Sequence, residues 1–211
     1  MPARLALERG EWAEAAALPM TPAADAYAWK KYPQAEAINA FARGVGAARA
    51  GNAAAAREQQ SRLITLRDAA KELKLAYWVE QLDIQAALVG ALALCAEAKA
   101  GECIDALKVT AAREDATEKH AVVPGPLVPA RELLAEMLLD QKKYADALAE
   151  YEAVMKKEPN RYRAIAGAMA AARGAGDQAK ARSLAAELLK LGNEADSQRA
   201  TLQLAKQITG G

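Results

Sequence analysis

The chain is poor in the residues that most catalytic sites and metal centres need. Its 211 residues include one His, two Cys and one Phe, and aromatic residues make up only 5%. A nucleophile triad therefore has only His120 as its base, and a zinc site would lack further His or Cys ligands at suitable spacing. Gly44-Val45-Gly46 lies in a helical pattern and not after a strand, which excludes a dinucleotide fold. The sequence predicts a protein that is not an enzyme and holds no cofactor or metal.

The chain also lacks a dominant charge and a long apolar run. Lys and Arg number 28 and Asp and Glu number 27, so the net charge of +1 creates no strong field toward nucleic acid or anionic lipid. The longest apolar stretch, Ala86–Ala96, is far short of the roughly 20 residues that a membrane span needs. We expect neither nucleic-acid binding nor membrane insertion.

The first residues show no secretory signal, because Met1-Pro2-Ala3-Arg4 leads directly into an amphipathic stretch without an apolar core. Only a stub of helix precedes the first full amphipathic run, so we expect the chain to be a fragment of a longer protein. Its compartment stays open: cytoplasmic by default, and periplasmic if the full-length protein carries a signal peptide.

Cys95 and Cys103 lie eight residues apart, across a predicted helix end and turn. We expect both to be small buried hydrophobic residues. The alternative is a disulfide or a metal pair, although neither the spacing nor additional ligands match a known site.

A short pattern returns five times: a helix-breaking residue, usually Gly, followed by an Ala that opens an amphipathic run. The Ala residues of the five copies are Ala15, Ala56, Ala106, Ala147 and Ala181, and successive ones are 41, 50, 41 and 34 residues apart. Repeats of this length are typical of helical hairpins that stack into a solenoid. The abundance of Ala, Leu, Glu and Lys, without any alternating strand pattern, favours helix throughout.

We therefore predict an all-α fold, a right-handed solenoid of antiparallel helical hairpins in a single domain over residues 1–211. The units are expected at about 1–32, 33–73, 75–127, 128–159 and 160–192, with a capping helix over 193–211. The third unit contains a long predicted helix, about Leu75–Ala100, which would measure roughly 39 Å. Three prolines and a glycine prevent a helix over residues 118–129. Helices are expected again at about 129–141 and 144–157, and Asn160 and Asp177 are predicted to cap the two helices that follow.

The last two units resemble the tetratricopeptide repeat. With Ala147 at the central Ala of that motif, the remaining matches in the first of these units are Leu134, Ala135, Tyr151 and Pro159. The pattern returns 34 residues later at Ala168, Ala181 and Ala185, with Asn193 in place of the Pro and Ala172 in place of the first-helix aromatic. The stretch over residues 114–134, with Pro124-Gly125-Pro126 at its centre, is similar to the C-terminal part of uncharacterised bacterial tetratricopeptide proteins. That likeness implies a helical-repeat fold and a C-terminal location, and it implies no assigned activity.

In such repeats the first helix of each unit lines a concave groove where peptides bind. The resemblance therefore implies a groove, apolar in its first half and charged in its second, lined by Ile38, Phe41, Val45, Leu88, Ala91, Cys95, Glu132, Glu136, Arg163 and Arg173. The alternative is that these residues form the core between repeats. The Lys, Arg and Asn set that holds a chaperone's C-terminal carboxylate is missing, so we do not expect a co-chaperone.

Three residues beside the proline-rich segment, Glu114, Glu118 and His120, are expected to lie in the last, charged turns of a helix, where the helix dipole favours His120. The alternative is that they form a partner-contact edge. The function predicted from these patterns is a non-enzymatic module for binding a protein or peptide. The alternative is an assembly segment, whose groove is filled by the N-terminal part of the same protein or by a second copy in a homo-oligomer.

Overall fold

A computed structural model describes residues 2–117, 126–193, 195 and 199–210. Within these residues the chain is all-α, as predicted, with one 3₁₀ turn at Trp29–Lys31 and no β-strand. The eleven helices described are α1 (Pro2–Arg9), α2 (Trp12–Ala16), α3 (Pro33–Arg49), α4 (Ala53–Glu72), α5 (Ala76–Ala96), α6 (Ala100–Asp115), α7 (Ala130–Asp140), α8 (Tyr144–Lys157), α9 (Tyr162–Gly174), α10 (Gln178–Leu191) and α11 (Ala200–Thr209).

The helices belong to two compact units, Met1–Ala130 and Arg131–Gly211. In the first unit each helix from α1 to α6 packs against the next one in sequence, and α3 also packs against α5. In the second unit α8 packs on α9, α9 on α10, and α10 on α11. The single repeat domain over the whole chain stays a prediction.

The turns before the five even-numbered helices α2 to α10 share one backbone geometry, which the turn at Lys74 before α5 shows as well. A residue in the left-handed region, with φ between 59° and 85°, stands two positions before α2, α4, α6, α8 and α10, at Gly10, Gly51, Ala98, Lys142 and Gly176. The N–H of this residue donates to the carbonyl three residues before it, and the next N–H donates to the carbonyl five residues before itself, at 2.8–3.1 Å. These are the two hydrogen bonds of a Schellman motif, which satisfies the last carbonyls of the preceding helix.

The third of these turns differs from the prediction. The sequence pattern placed the helix breaker at Gly101 and the small residue at Ala106, but the turn lies at Ala98 and Gly101 lies inside α6. The left-handed residues at 10, 51, 98, 142 and 176 are 41, 47, 44 and 34 residues apart. Because the helix ends at this turn, α5 stops at Ala96 and spans 21 residues, or about 31 Å, and does not continue to residue 100 as predicted.

Counting five residues from each turn identifies the true small-residue position of the third hairpin as Cys103. Like its counterparts Ala15, Ala56, Ala147 and Ala181, it is 0% exposed. A small side chain at this point lets neighbouring helices pack closely.

Cys95 and Cys103 form a disulfide that joins the end of α5 to the start of α6, with their Cα atoms 5.2 Å apart. The prediction of two unpaired cysteines is therefore wrong. The turn at Ala98 reverses the chain between them, and their spacing in sequence does not reveal this. Cys103 is buried, as expected, and Cys95 is partly exposed.

Among the described residues, α5 is the helix long and apolar enough to cross a membrane by length and composition. Half of its apolar window is buried inside the structure, where α5 packs against α3, α4 and α6. Core helices of globular proteins pass the same test, so this property assigns no membrane role.

Candidate functional site

The apolar half of the predicted groove lies in the core of the first unit. Phe41, Val45 and Leu88 are 2%, 0% and 1% exposed, and Ala91 is buried as well. The cause is the packing of α3 against α2, α4 and α5, which encloses these side chains. The other two residues of this apolar set, Ile38 and Cys95, are partly exposed. The four buried residues therefore belong to the core between helices, which was the alternative interpretation of the sequence, and they do not line an open groove.

The charged half of the predicted groove contains a buried ionic cluster in the second unit. Glu132 is 0% exposed and accepts hydrogen bonds from Arg161 (Nε 2.5 Å, Nη2 2.9 Å) and from Arg163 (Nε 2.9 Å). Arg163 also donates to Glu136. Ion pairs inside a protein need this degree of hydrogen bonding to offset their desolvation. The cluster therefore ties α7 to α9, while Arg173, at the end of α9, is exposed.

Tyr151 fills the core beside this cluster and is the second-helix aromatic of the predicted repeat. Its ring packs against Gly167 of α9, where a Cβ atom would collide with it. Burial raises the pKa of Tyr151 well above its usual value, and the charges of Glu136 and Glu132 raise it further. The hydroxyl is therefore neutral, and the ring contributes to the packing of α8 against α9.

The predicted partner-contact edge is described only in part. Glu114 accepts a hydrogen bond from the backbone N–H of Ala130 at 2.7 Å, so its carboxylate stabilises the chain where residues 126–130 return to the first unit. Glu118 and His120 lie outside the described residues.

Two clefts in the first unit are not indicated by any pattern in the sequence. The first, here called the α4–α6 cleft, has a volume of about 550 Å³. Its floor is apolar and partly exposed (Leu75, Val79), and the unpaired, exposed Lys71 and Lys74 lie at its rim.

A network of charges across three helices forms the wall of the α4–α6 cleft. Arg113 donates to both oxygens of Glu80 at 2.8 Å and to Asp83 at 2.6 Å, and Arg67 donates to Asp83 at 2.6 Å. Burial alone would raise the pKa of Asp83, but the hydrogen bonds from Arg67 and Arg113 outweigh it and lower that pKa. The wall is thus internally neutralised and fixed in place.

The second cleft, here called the α3–α4 cleft, has a volume of about 420 Å³. The segment after α2 forms its rim, because the side-chain amide of Asn39 donates to the carbonyls of Leu18 (3.3 Å) and Pro19 (2.9 Å). Met20 lies next to this contact and lines the cleft.

The charged groups of the α3–α4 cleft are unequally paired. Arg62 donates to Glu36 at 2.7 Å. Arg43 makes no hydrogen bond or ion pair within the described part of the chain, and its Nε is buried. Gln59 is 7% exposed and also has no hydrogen-bond partner there. The cleft therefore holds donors that the protein itself does not satisfy.

No group of three or more His, Cys, Asp or Glu side chains within the described ranges could hold a metal ion. Comparison of the chain with models of protein families gives no match, and comparison with curated proteins gives none. The tetratricopeptide likeness stays a prediction from the residues.

Proposed function

We propose that the chain is a non-enzymatic helical-repeat module of the tetratricopeptide type, stacked as a solenoid, which binds a protein or peptide segment. Five hairpins with the same Schellman turn and the same buried small residue support the repeat. Arrays of such hairpins commonly act by presenting an extended binding surface.

The observation that carries the binding role is the α4–α6 cleft. Its apolar floor can accept an aliphatic side chain, and the ionic wall needs no rearrangement to receive it, because its charges already satisfy one another. A site held rigid before binding loses less entropy when the ligand arrives. The predicted groove residues Phe41, Val45 and Leu88 are not part of this surface.

The charge of the rim selects the partner. Asp68, Glu80 and Asp83 are paired with Arg67 and Arg113, which leaves one negative charge, and Lys71 and Lys74 at the rim bring the lining of the cleft to a net positive charge. A segment with an apolar anchor flanked by acidic residues complements this pattern, since opposite potentials across an interface favour specific association.

An array of short peptides that differ in aliphatic and acidic content tests this function. The wild-type protein should retain peptides that combine both, and the double variant Lys71→Glu/Lys74→Glu should bind them at least about tenfold more weakly in fluorescence polarisation.

The matched control is Lys142→Glu/Lys143→Glu. This pair is also exposed, carries the same charge change and, like Lys74, includes a left-handed lysine, Lys142, in a turn. It should bind as the wild type does. Equal loss in both variants, or no loss in either, would count against the cleft. Self-association in light scattering without peptide binding would favour the assembly alternative.

A further inference from the structure

The geometry points to a carboxylate-binding site in the α3–α4 cleft, separate from the α4–α6 cleft and independent of the function proposed above. The ligand group is a single carboxylate. It can come from a small organic acid or from an Asp or Glu side chain of a peptide.

The cleft exists because α2 is short. It has five residues, whereas α4, α6, α8 and α10 have 14 to 20. Ala16 lies against Gly46, and Pro19 lies against Asn39, so the chain after α2 continues antiparallel to α3 without forming a helix. Pro19 and Pro22 oppose a longer helix there. The side of α3 and α4 that a continued helix would cover is left open and polar.

Arg43 supplies the main recognition group. Its guanidinium offers five N–H donors in a planar fork, which a carboxylate accepts in pairs. A buried donor without an acceptor is unfavourable, and the buried Nε of Arg43 is such a donor. A ligand carboxylate would satisfy it.

Gln59 supplies a second donor. A Cβ atom on Gly44 would lie 3.2 Å from the Cβ of Gln59, so Gly44 of α3 faces Gln59 of α4. Arg43 precedes Gly44 in sequence and therefore lies at the same height along α3 as Gln59 does along α4. Gln59 is 7% exposed as a residue, its amide has no hydrogen-bond partner in the described part of the chain, and both side chains line the same cleft. Amide and guanidinium donors that line one cleft are suited to a carboxylate oxygen.

The charge balance selects a carboxylate over a phosphate. Two arginines and two glutamates line the cleft, and the Arg62–Glu36 pair is closed internally. Arg43 and the exposed, unpaired Glu58 remain. One cation with an anion in the same cleft can accommodate a monoanion. A phosphate carries a negative charge of nearly two, so Glu58 would repel it more strongly than it repels a carboxylate.

Calorimetric or NMR titration with three probes tests the site: butyrate, a blocked Ala-Ala-Glu-Ala-Ala peptide, and inorganic phosphate. Saturable binding of butyrate or of the Glu peptide is expected, with at least about a tenfold loss in Arg43→Gln. Arg43→Lys, which keeps the charge but not the fork, should lie between them. The control Arg182→Gln removes an exposed arginine of α10 and should change nothing.

Each result decides one point. Binding of butyrate alone identifies a small-acid site, and binding of the Glu peptide alone identifies an acidic side-chain site; both support the inference. Absence of saturable binding by either probe, equal affinity in Arg43→Gln, or tighter binding of phosphate would overturn it. If Arg43→Gln unfolds, Gln59→Leu together with Arg43→Lys decides, because both should weaken binding in a folded protein.

Discussion

Replacing Glu132 by Gln isolates the energetic role of the buried ionic cluster. The amide keeps the volume of the side chain but removes its charge, and its NH₂ group would face guanidinium donors. Three hydrogen bonds from two arginines end on this carboxylate, and those arginine side chains are only 11% and 9% exposed. The variant leaves two nearly buried cations without their shared anion.

The expected loss follows from these contacts. Removing one partner of a buried ion pair typically costs roughly 3–5 kcal/mol. Glu136 still contacts Arg163, and Glu158 lies 3.8 Å from Arg161, so partial compensation remains. We therefore expect a loss at the lower end of this range, a decrease of about 3 kcal/mol in the free energy of unfolding.

Urea denaturation followed by far-UV circular dichroism measures this change. All three tryptophans of the chain, at positions 12, 29 and 78, lie in the first unit, so tryptophan fluorescence follows that unit and circular dichroism reports the second as well. Glu152→Gln breaks an ion pair with Lys180 whose side chains are 44% and 42% exposed, and it should cost less than about 1 kcal/mol. A Glu132→Gln loss no larger than this control would refute the account of the cluster.

Further expectations concern packing, the disulfide and acid stability. Gly46→Ala should lower the free energy of unfolding by about 1–3 kcal/mol, because the added Cβ would lie 2.5 Å from a backbone nitrogen of α2. Gly101→Ala, whose Cβ would have no neighbour within 4 Å, should raise it by up to about 1 kcal/mol in the same urea assay, because alanine favours helix more than glycine does. Reducing the disulfide, which closes a short loop between cysteines eight residues apart, should lower the unfolding free energy by about 2–3 kcal/mol, measured with and without reductant. The pKa of Asp83 is lowered in the folded protein, so its contribution is present above about pH 4 and lost as the pH falls through the folded-state pKa. Asp83→Asn should flatten the acid limb of stability against pH, and an unchanged limb would contradict this.

The helices were largely predictable because local chemistry defines their ends. Asp177 accepts from the N–H of Lys180 at 2.9 Å and caps α10 as predicted, and α8 has the predicted bounds. Asn160, predicted to cap α9, instead adopts a left-handed φ of 63°, and α9 begins at Tyr162. A cap-forming residue type indicates where a helix starts only to within a turn of chain.

The clefts and the buried groove positions were not predictable, for a different reason. Periodicity shows that Phe41 and Leu88 lie on apolar faces, but not which neighbouring helix covers those faces. Arg43 reads in the sequence as an ordinary polar position, whereas in the structure it lines the α3–α4 cleft, beside the chain that follows the short helix α2. Ala98 carries no glycine signal, so its turn was placed three residues late.

The left-handed turns at Ala98 and Lys142 have an engineering consequence. An L-residue in that conformation is disfavoured by roughly 1–2 kcal/mol, a penalty that glycine avoids. Both turns are remote in sequence from the residues that line either cleft. Glycine replacements there offer a route to a more heat-resistant scaffold whose recognition surfaces are left as they are.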